Sequence, residues 1–558
     1  MTAALKIGEV ADTPGEFFAP ADTDMIDGLL SQYQRARARI EEVQAFLQGE
    51  GFHQAVGYYI EGNREALYGL RASPATERLF GVEGAVDALN ADYWQRALGM
   101  TDVLDFMPAE RREEWFEAIR KMRTPDFAED TVRATLGALL AQRMDFLAEK
   151  VDGIFRALSR EHVTNRPEGF AKRMILQGVT NDFGGYGRRQ TGHLNDLRQV
   201  IAKFMQRDEP DWSASNRLVE IARREHRGEW LEVDGGALRI RCYLNGNAHL
   251  EVHPDIAWRL NQILAHLHPM AIPSEFRAPP KRKRREFTLM ERPLPFAVLQ
   301  VLGDMRPVNH RVLTSRSSEQ REPLTRNPHN LGLTTHHDDK HLVRQVGQAL
   351  EAIGGVPHSD RHNRWWEFDY APGEAVGLIV ASGVIPDQQS HQYYPTPPAL
   401  AARAAELAEI EPHHRCLEPS AGTGALADHF RDAAEKVCVE VSPIHCRVLE
   451  GKGHNAIEAD FLAWVDDGAR PGWQFDRILM NPPFSQGRWQ AHTEAAATML
   501  APGGRLVAIL PSSAQGSFHL PGLTCRWDGP HHNQFAGASV SVSILIADIE
   551  AEMAGSKG

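Results

Sequence analysis

Cysteine is scarce in this chain and never paired. Cys242, Cys416, Cys438, Cys446 and Cys525 form no CxxC and no Cys/His spacing able to close a tetrahedral zinc site, so no metal centre is expected and the thiols read as reduced and mostly buried. Long apolar runs are missing too. No window approaches the roughly 18 consecutive apolar residues of a membrane span, and Met1 to Asp22 lacks a basic segment followed by an apolar core. The expectation is a soluble, cytoplasmic protein with no membrane partner. Basic charge is also in deficit: the formal net charge is -13, which argues against wholesale coating of nucleic acid, because phosphate binding rests on clustered Lys and Arg. Any nucleic-acid site must be local.

What is present is ordinary globular composition, 42% hydrophobic and 24% charged, over 558 residues, more than one core usually organises. Residues 24 to 48 carry Ile26, Leu29, Leu30 and Tyr33, then Ile40, Val43, Phe46 and Leu47, at the spacing of one long helix or a helical hairpin. From Val82 to Arg160 the spacing stays helical, through Trp94, Leu98, Trp115, Ile119, Leu136, Leu139, Leu140, Met144 and Leu147. Between Trp230 and His253 the residues alternate as strands do, with turns at Gly235-Gly236 and Asn245-Gly246, and a helix from Pro254 to His266 follows. Asn245, Asn247 and His249 sit beside the second turn, where polar residues most often serve the turn itself.

The only strongly basic region is 271 to 345, with 14 Lys and Arg against eight Asp and Glu. Its centre is the run Lys281, Arg282, Lys283, Arg284 and Arg285. The run reads either as a solvated linker or as a phosphate-contacting surface. Beyond it, Leu342, Val343, Val346, Leu350 and Ile353 predict a short helix that runs into Gly354-Gly355 and then into Trp365, Trp366, Phe368 and Tyr370. Helix, glycine turn and aromatic hairpin make a compact wing, whose aromatics form its core or a platform for stacked bases.

From His391 onward strand-like runs alternate with helices, the pattern of a parallel α/β sheet. The strand candidates are 415 to 419, 435 to 442, 475 to 484 and 504 to 512, with a weaker one at Asn455 to Glu458. Ligands of such sheets bind beyond the carboxyl ends of the strands. The first of these ends is Glu418-Pro419-Ser420-Ala421-Gly422-Thr423-Gly424, where Gly422 and Gly424 let backbone approach a ligand and Glu418 suits an amino-acid ammonium better than a pyrophosphate. Glu440, at the next strand end, is placed to accept from ribose hydroxyls. Asp460 and Phe461 suit an adenine amine and an apolar wall against its ring. Together the three positions describe an adenosine-containing ligand with a cationic amino-acid end.

The decisive tetrapeptide is Asn481-Pro482-Pro483-Phe484, at the end of the strand Arg477 to Met480. The two prolines fix φ and disfavour helix at Asn481, so the Pro482 carbonyl and the Asn481 amide oxygen can face one point. Two acceptors converging on an NH2 group orient it, and they stabilise the positive charge that nitrogen gains when it is alkylated. Phe484 offers a flat apolar surface for an extruded base.

These residues resemble the amino-methyltransferases with an N/D-P-P-F/Y/W motif, specifically the γ-type N6-adenine DNA methyltransferases. HQYYPTPPALAARAAEL, LEPSAGTG and NPPF occur in that group's order. The resemblance implies a Rossmann-like class I methyltransferase domain, S-adenosylmethionine as cofactor and DNA as partner. It places Thr396 and Pro397, with Glu418, Pro419 and the Gly422 to Gly424 backbone, at the methionine end, Glu440 at the ribose, and Asp460 and Phe461 at the adenine. LAPGGRLVAILPSS (500 to 513) and FAGASVSVSILIADI (535 to 549) look like later strands of this fold. About ten residues follow Asp548, whereas a target-recognition domain usually follows there in the γ group, so sequence reading is expected from the N-terminal half. That half resembles a domain of unknown function that precedes adenine methyltransferase modules in bacterial, plasmid and phage-like proteins.

The expected organisation is a tail (1–22), a mainly helical α+β domain of unknown function (23–270), a basic linker (271–290), a helix and hairpin module for DNA contact (291–385), the methyltransferase domain (386–549) and a second tail (550–558). Other readings stay open: methylation of an RNA base amine at guanine N2 or adenine N6, methylation of a protein glutamine, and a non-catalytic DNA-binding protein that senses S-adenosylmethionine. No nuclease motif is visible, so restriction would require a separate nuclease or defence-system partner.

Overall fold

The computed structural model describes residues 23–47, 58, 81–157, 169–170, 173–180, 187–280, 289, 293–310, 325–326, 329–335, 337–359, 363–385, 395–430, 433–467, 473–484, 487–532 and 541–549. The chain forms two compact units that interleave: 1–209 with 244–288, and 210–243 with 289–558.

In the first unit the helix Thr23–Leu47 packs on Val82–Gly99, and Arg143–Ala157 packs on Pro254–Leu267. The N-terminal periodicity thus resolves into one helix. Aromatic side chains fill the space around Trp94, Phe127 and Tyr33. One buried amide organises their polar edges: Asn90 Oδ1 accepts from the Tyr33 hydroxyl at 2.7 Å and from the Phe127 backbone N–H at 3.0 Å. A short antiparallel pair joins Arg173–Leu176 to Ala248–Val252. Asn247 Oδ1 accepts from Gly178 N at 3.2 Å and Asn245 Oδ1 from Asn247 N at 3.2 Å, so both asparagines serve the local turns.

The second unit begins with α1 (Trp212–Arg224) and the hairpin of β1 (Leu231–Val233) and β2 (Leu238–Cys242). The expected turn is there: Asp234, Gly235 and Gly236 all take positive φ. After α2 (Phe296–Asp304) come β3 (Asn330–Gly332), α3 (Lys340–Glu351), β4 (Val356–Ser359), β5 (Arg364–Glu367) and α4 (Gly373–Ser382). Strand β5 lies between β3 and β4, antiparallel to both. The wing is therefore formed as its sequence indicates, and its aromatics are mostly core. Trp366, Phe368 and Tyr370 are buried, and only Trp365 keeps part of its ring exposed.

The C-terminal part of this unit comprises α5 (Pro398–Ala408), β6 (Arg415–Pro419), β7 (Glu435–Glu440), α6 (Pro443–Gly451), β8 (Asn455–Glu458), α7 (Phe461–Asp466), β9 (Phe475–Met480), α8 (Arg488–Ala497), β10 (Leu500–Pro511), β11 (Thr524–His531) and β12 (Val542–Asp548). Its seven-stranded sheet has the order β8-β7-β6-β9-β10-β12-β11. The first five strands are parallel, and β12 runs antiparallel to both its neighbours, β10 and β11. Side chains alternate between two cores, as the period of two requires. Cys416, Cys438, Leu479, Val507, Ile509 and Ile544 meet α5 on one face. Leu417, Val439, Ile478, Met480, Ala508 and Leu545 face the other way, toward Phe461, Ala496 and Met499. Four of the five cysteines are buried, and none forms a disulfide.

Candidate active site

The order in which strands join the sheet reverses between β6 and β9, with β7 and β8 added on one side and β9 and β10 on the other, and a crevice opens where such a reversal occurs. Register then brings the predicted residues to one level. Pro419 pairs with Val439 and Leu417 with Ile478. Continuing each ladder sets Ser420 beside Glu440 on one side and beside Asn481 on the other, with neighbouring strands about 4.8 Å apart.

The turn after β6 takes backbone conformations that L side chains rarely adopt. Ser420 has φ +58°, Gly422 +55° and Gly424 +82°. A Cβ on Gly424 would lie 2.7 Å from Leu449 Cδ2. Gly424 thus packs directly against α6, with no room for a side chain. Glu418 is buried beneath it, its carboxylate accepting from Ala427 N at 2.6 Å. Burial pushes this carboxyl well above the ordinary carboxylate range, while the N–H groups of Ala427 and Leu426 pull the other way.

Glu440 is equally enclosed but differently tuned. Its carboxylate accepts from Gly422 N at 2.7 Å and from Ser442 N at 2.8 Å. Burial raises its pKa, but His445 and the two backbone donors outweigh burial and hold it below the ordinary value. The side chain reaches over to the neighbouring strand's end and fixes the glycine turn. Ser442 then caps α6, with Pro443 at its first position, which ends β7 two residues earlier than the sequence pattern indicates.

Asp460 caps α7 through Ala463 N at 3.1 Å and faces Arg488 Nη2 at 3.2 Å. Phe461 is buried, its ring centroid 5.6 Å from that of His492. His492 carries no sequence motif and was not foreseeable as a site residue; α8 brings it under the turn, its Nδ1 3.2 Å from Ser420 Oγ. Burial and then Arg488 lower its pKa to about 4, against Asp460, so it stands neutral near pH 7. Its Nε2 is buried and has no hydrogen-bond partner among the described residues.

This yields a stability prediction. Below its ordinary pKa of about 6.5 an unfolded His takes up a proton that buried His492 refuses until about pH 4. Its effect is therefore absent above about 6.5 and increasingly destabilising as pH falls toward 4. Urea midpoints of the wild type should fall across that window, and His492→Gln should show a shallower fall. Parallel curves would show that His492 does not carry the effect.

At the end of β9, Asn481 Nδ2 donates to Thr396 Oγ1 at 3.1 Å, joining two motifs 85 residues apart. Pro397 caps α5, Pro482 is buried, Pro483 is half-buried, and Phe484 lies half-buried against the core that contains Leu400 and Val542. Thr396, Pro397, Glu418, Pro419, Gly422, Gly424, Glu440, Asp460, Phe461 and Asn481 to Phe484 thus belong to one end of one sheet. Lys281 to Arg285 lie outside the described residues, as do both tails. At the opposite end of β6, ligand atoms of Glu411, His413 and His414 lie within 4.8 Å of one another, a grouping the sequence survey did not single out.

Residues 86–270 match a domain of unknown function, DUF4942. No curated protein matches the chain. Similar solved structures include TrmN from Thermus thermophilus (16% identity, 38% of this chain and 70% of that one, TM-score 0.24). Others are PH1948 from Pyrococcus horikoshii (20%, 30% and 91%, TM-score 0.23) and the 23S rRNA methyltransferase ErmE (18%, 27% and 68%, TM-score 0.22). No helix among the described residues is long and apolar enough to cross a membrane.

Proposed function

We propose that this chain is an S-adenosylmethionine-dependent methyltransferase acting on the N6 amine of adenine in DNA. The observation that carries the proposal is the Asn481 to Thr396 hydrogen bond at the end of β9, level with the strained glycine turn of β6 and with Glu440. The residues fit the cofactor: a turn in which Ser420, Gly422 and Gly424 all take positive φ, a carboxyl group at each of the first two strand ends, and the orphaned buried nitrogen of His492. Glu418 and the turn would hold the methionine end, Glu440 the ribose, and Asp460 with Phe461 the adenine. Bound S-adenosylmethionine supplies an electrophilic methyl group.

The chain's own residues do the rest. Thr396 fixes the plane of the Asn481 amide, whose Oδ1 with the Pro482 carbonyl orients the acceptor amine. Both oxygens are dipoles already aimed where positive charge develops, so they stabilise the transition state more than the ground state. Neutral His492 adds no positive charge near that nitrogen. Phe484, backed by the core on one side, gives an extruded base a ring to stack on.

The test is DNA from cells expressing the protein, read by long-read sequencing or by digestion with enzymes sensitive to N6-methyladenine, beside an Asn481→Ala control. A mark lost in the control supports the proposal. Modification of RNA alone would replace DNA as substrate, and cofactor binding without any methylation would make the protein a sensor.

The basic run Lys281 to Arg285 is proposed to contact phosphates. Replacing all five by Ser is expected to weaken DNA binding and flatten its dependence on salt, with cofactor affinity unchanged. An unaltered salt slope would remove the run from the interface.

A further inference from the structure

We propose that the exposed row of α3, made by Lys340, His341, Arg344 and Gln348 with Gln345 beside it, is a docking face for duplex DNA. This rests on the reading of the protein as a DNA methyltransferase and adds the element that holds the substrate. The helix has two unlike faces. Val343, Val346, Gly347, Ala349 and Leu350 are buried, while Lys340, His341, Arg344 and Gln348 are exposed. The exposed positions fall three and four residues apart, so they form one stripe roughly 12 Å long.

The cations of this stripe differ from several others of the unit, which are held in ion pairs. Arg403 is bound by Asp528 and Glu406, Arg447 by Glu450, and Arg488 by Asp460. Lys340 and Arg344 have no ion pair among the described residues, in a chain whose net charge is -13. Asp339, next to the row, is committed to capping the helix through His341 N at 2.8 Å and Leu342 N at 3.2 Å. Two unopposed cations meet phosphates without first breaking an ion pair. The amide and imidazole groups between them are of the kind that hydrogen-bond base edges, and the major groove admits an α-helix.

The stripe is also rigidly carried. Trp366 lies under Gly347, its Cζ2 3.4 Å from where a Cβ would stand, and the Tyr370 hydroxyl donates to Ile353 O at 2.9 Å at the helix end. Tyr370 packs on Gly451 of α6, and Lys452 bridges Asp369 at 3.1 Å to Asp428 at 2.8 Å, just beyond the glycine turn. A duplex held on α3 is thereby held in a fixed relation to the catalytic sheet. Trp365 and His358 do not contribute to this face. Alternation along β5 turns Trp365 away from α3, where it stacks with His358 at 5.7 Å and 14°.

The experiment uses the full chain and fluorescence anisotropy of a labelled duplex over a salt series. Lys340→Ala with Arg344→Ala should weaken duplex binding about tenfold and lower the salt slope by about 2, with S-adenosylmethionine affinity and melting temperature unchanged. Gln345→Ala with Gln348→Ala should leave the slope intact and broaden the set of methylated sites in long-read maps. Unchanged binding, slope and site pattern in both variants, with methylation still dependent on Asn481, would overturn the docking face while the catalytic reading stands. The predicted loss of duplex binding in a protein that never methylates DNA would uphold the face and sink the catalytic reading. Tighter binding of single-stranded RNA than of duplex, through the same two cations, would overturn the choice of partner.

Discussion

Asn481→Ala is expected to lower methyl transfer at least about a hundredfold while leaving the protein folded and its cofactor affinity little changed. The magnitude follows from what one preorganised dipole contributes at a centre of developing charge. The fold survives because Asn481 is only half-buried and its bond to Thr396 is of the kind that contributes about 1 kcal/mol net. Asn481→Asp sharpens the test. A carboxylate still offers an oxygen to the amine, and the Thr396 hydroxyl then donates where before it accepted, so Asp should retain far more activity than Ala. Single-turnover rates at saturating cofactor check both variants. If Ala keeps near-wild-type rates, the amine is not oriented here.

Glu440→Gln is the second large effect and strikes stability and cofactor binding together. The native carboxylate accepts from two buried N–H groups, those of Gly422 and Ser442. Glutamine keeps the volume but must turn an NH2 toward one of them, leaving a buried donor unsatisfied at about 1–3 kcal/mol. The melting temperature should fall by several degrees. Releasing Gly422 also loosens the turn proposed to hold the cofactor, so S-adenosylmethionine affinity should fall with it. Calorimetric titration of Glu440→Gln, compared with a destabilising core variant such as Val507→Ala, separates the two effects. An equal loss of affinity in both would assign the effect to general destabilisation.

Glu440 also shows what the sequence could and could not convey. Its place at a strand end was readable because EKVCVE alternates between Cys438 on one core and Val437 and Val439 on the other. Its partner Gly422 was not, because a side chain reaching over to a neighbouring strand's end leaves no periodic trace. Strands β6 and β8 appear with the bounds their sequences indicate, whereas β10 starts four residues earlier, because Leu500 pairs with Phe475 before the Gly503-Gly504 bend. Strand β11 escaped notice altogether. Its Gly529-Pro530 demotes the run locally, yet it lies at the sheet edge, where proline is tolerated. His492 was invisible for a related reason: a lone histidine in a helix acquires meaning only when Ser420 and Phe461 meet it.

The interleaving of the two units bears on how the protein can be cut. Residues 210–243 belong with 289–558, and they are knitted in by backbone: Gly235 N donates to Ser382 O at 2.6 Å. Arg217 pairs with Asp304 at 2.5 Å, and α1 packs on α2 and α4. A truncation beginning at the basic run, although it spares every residue of the seven-stranded sheet, would strip α1 and β1 from α4. Buried Ala375, Leu378 and Ile379 lie on that helix, and α4 in turn supports α6 beside the cofactor turn. The smallest compact unit that contains the seven-stranded sheet is thus not a continuous stretch of the chain. Engineering it as a separate module means carrying Pro210–Tyr243 along, joined by a designed linker.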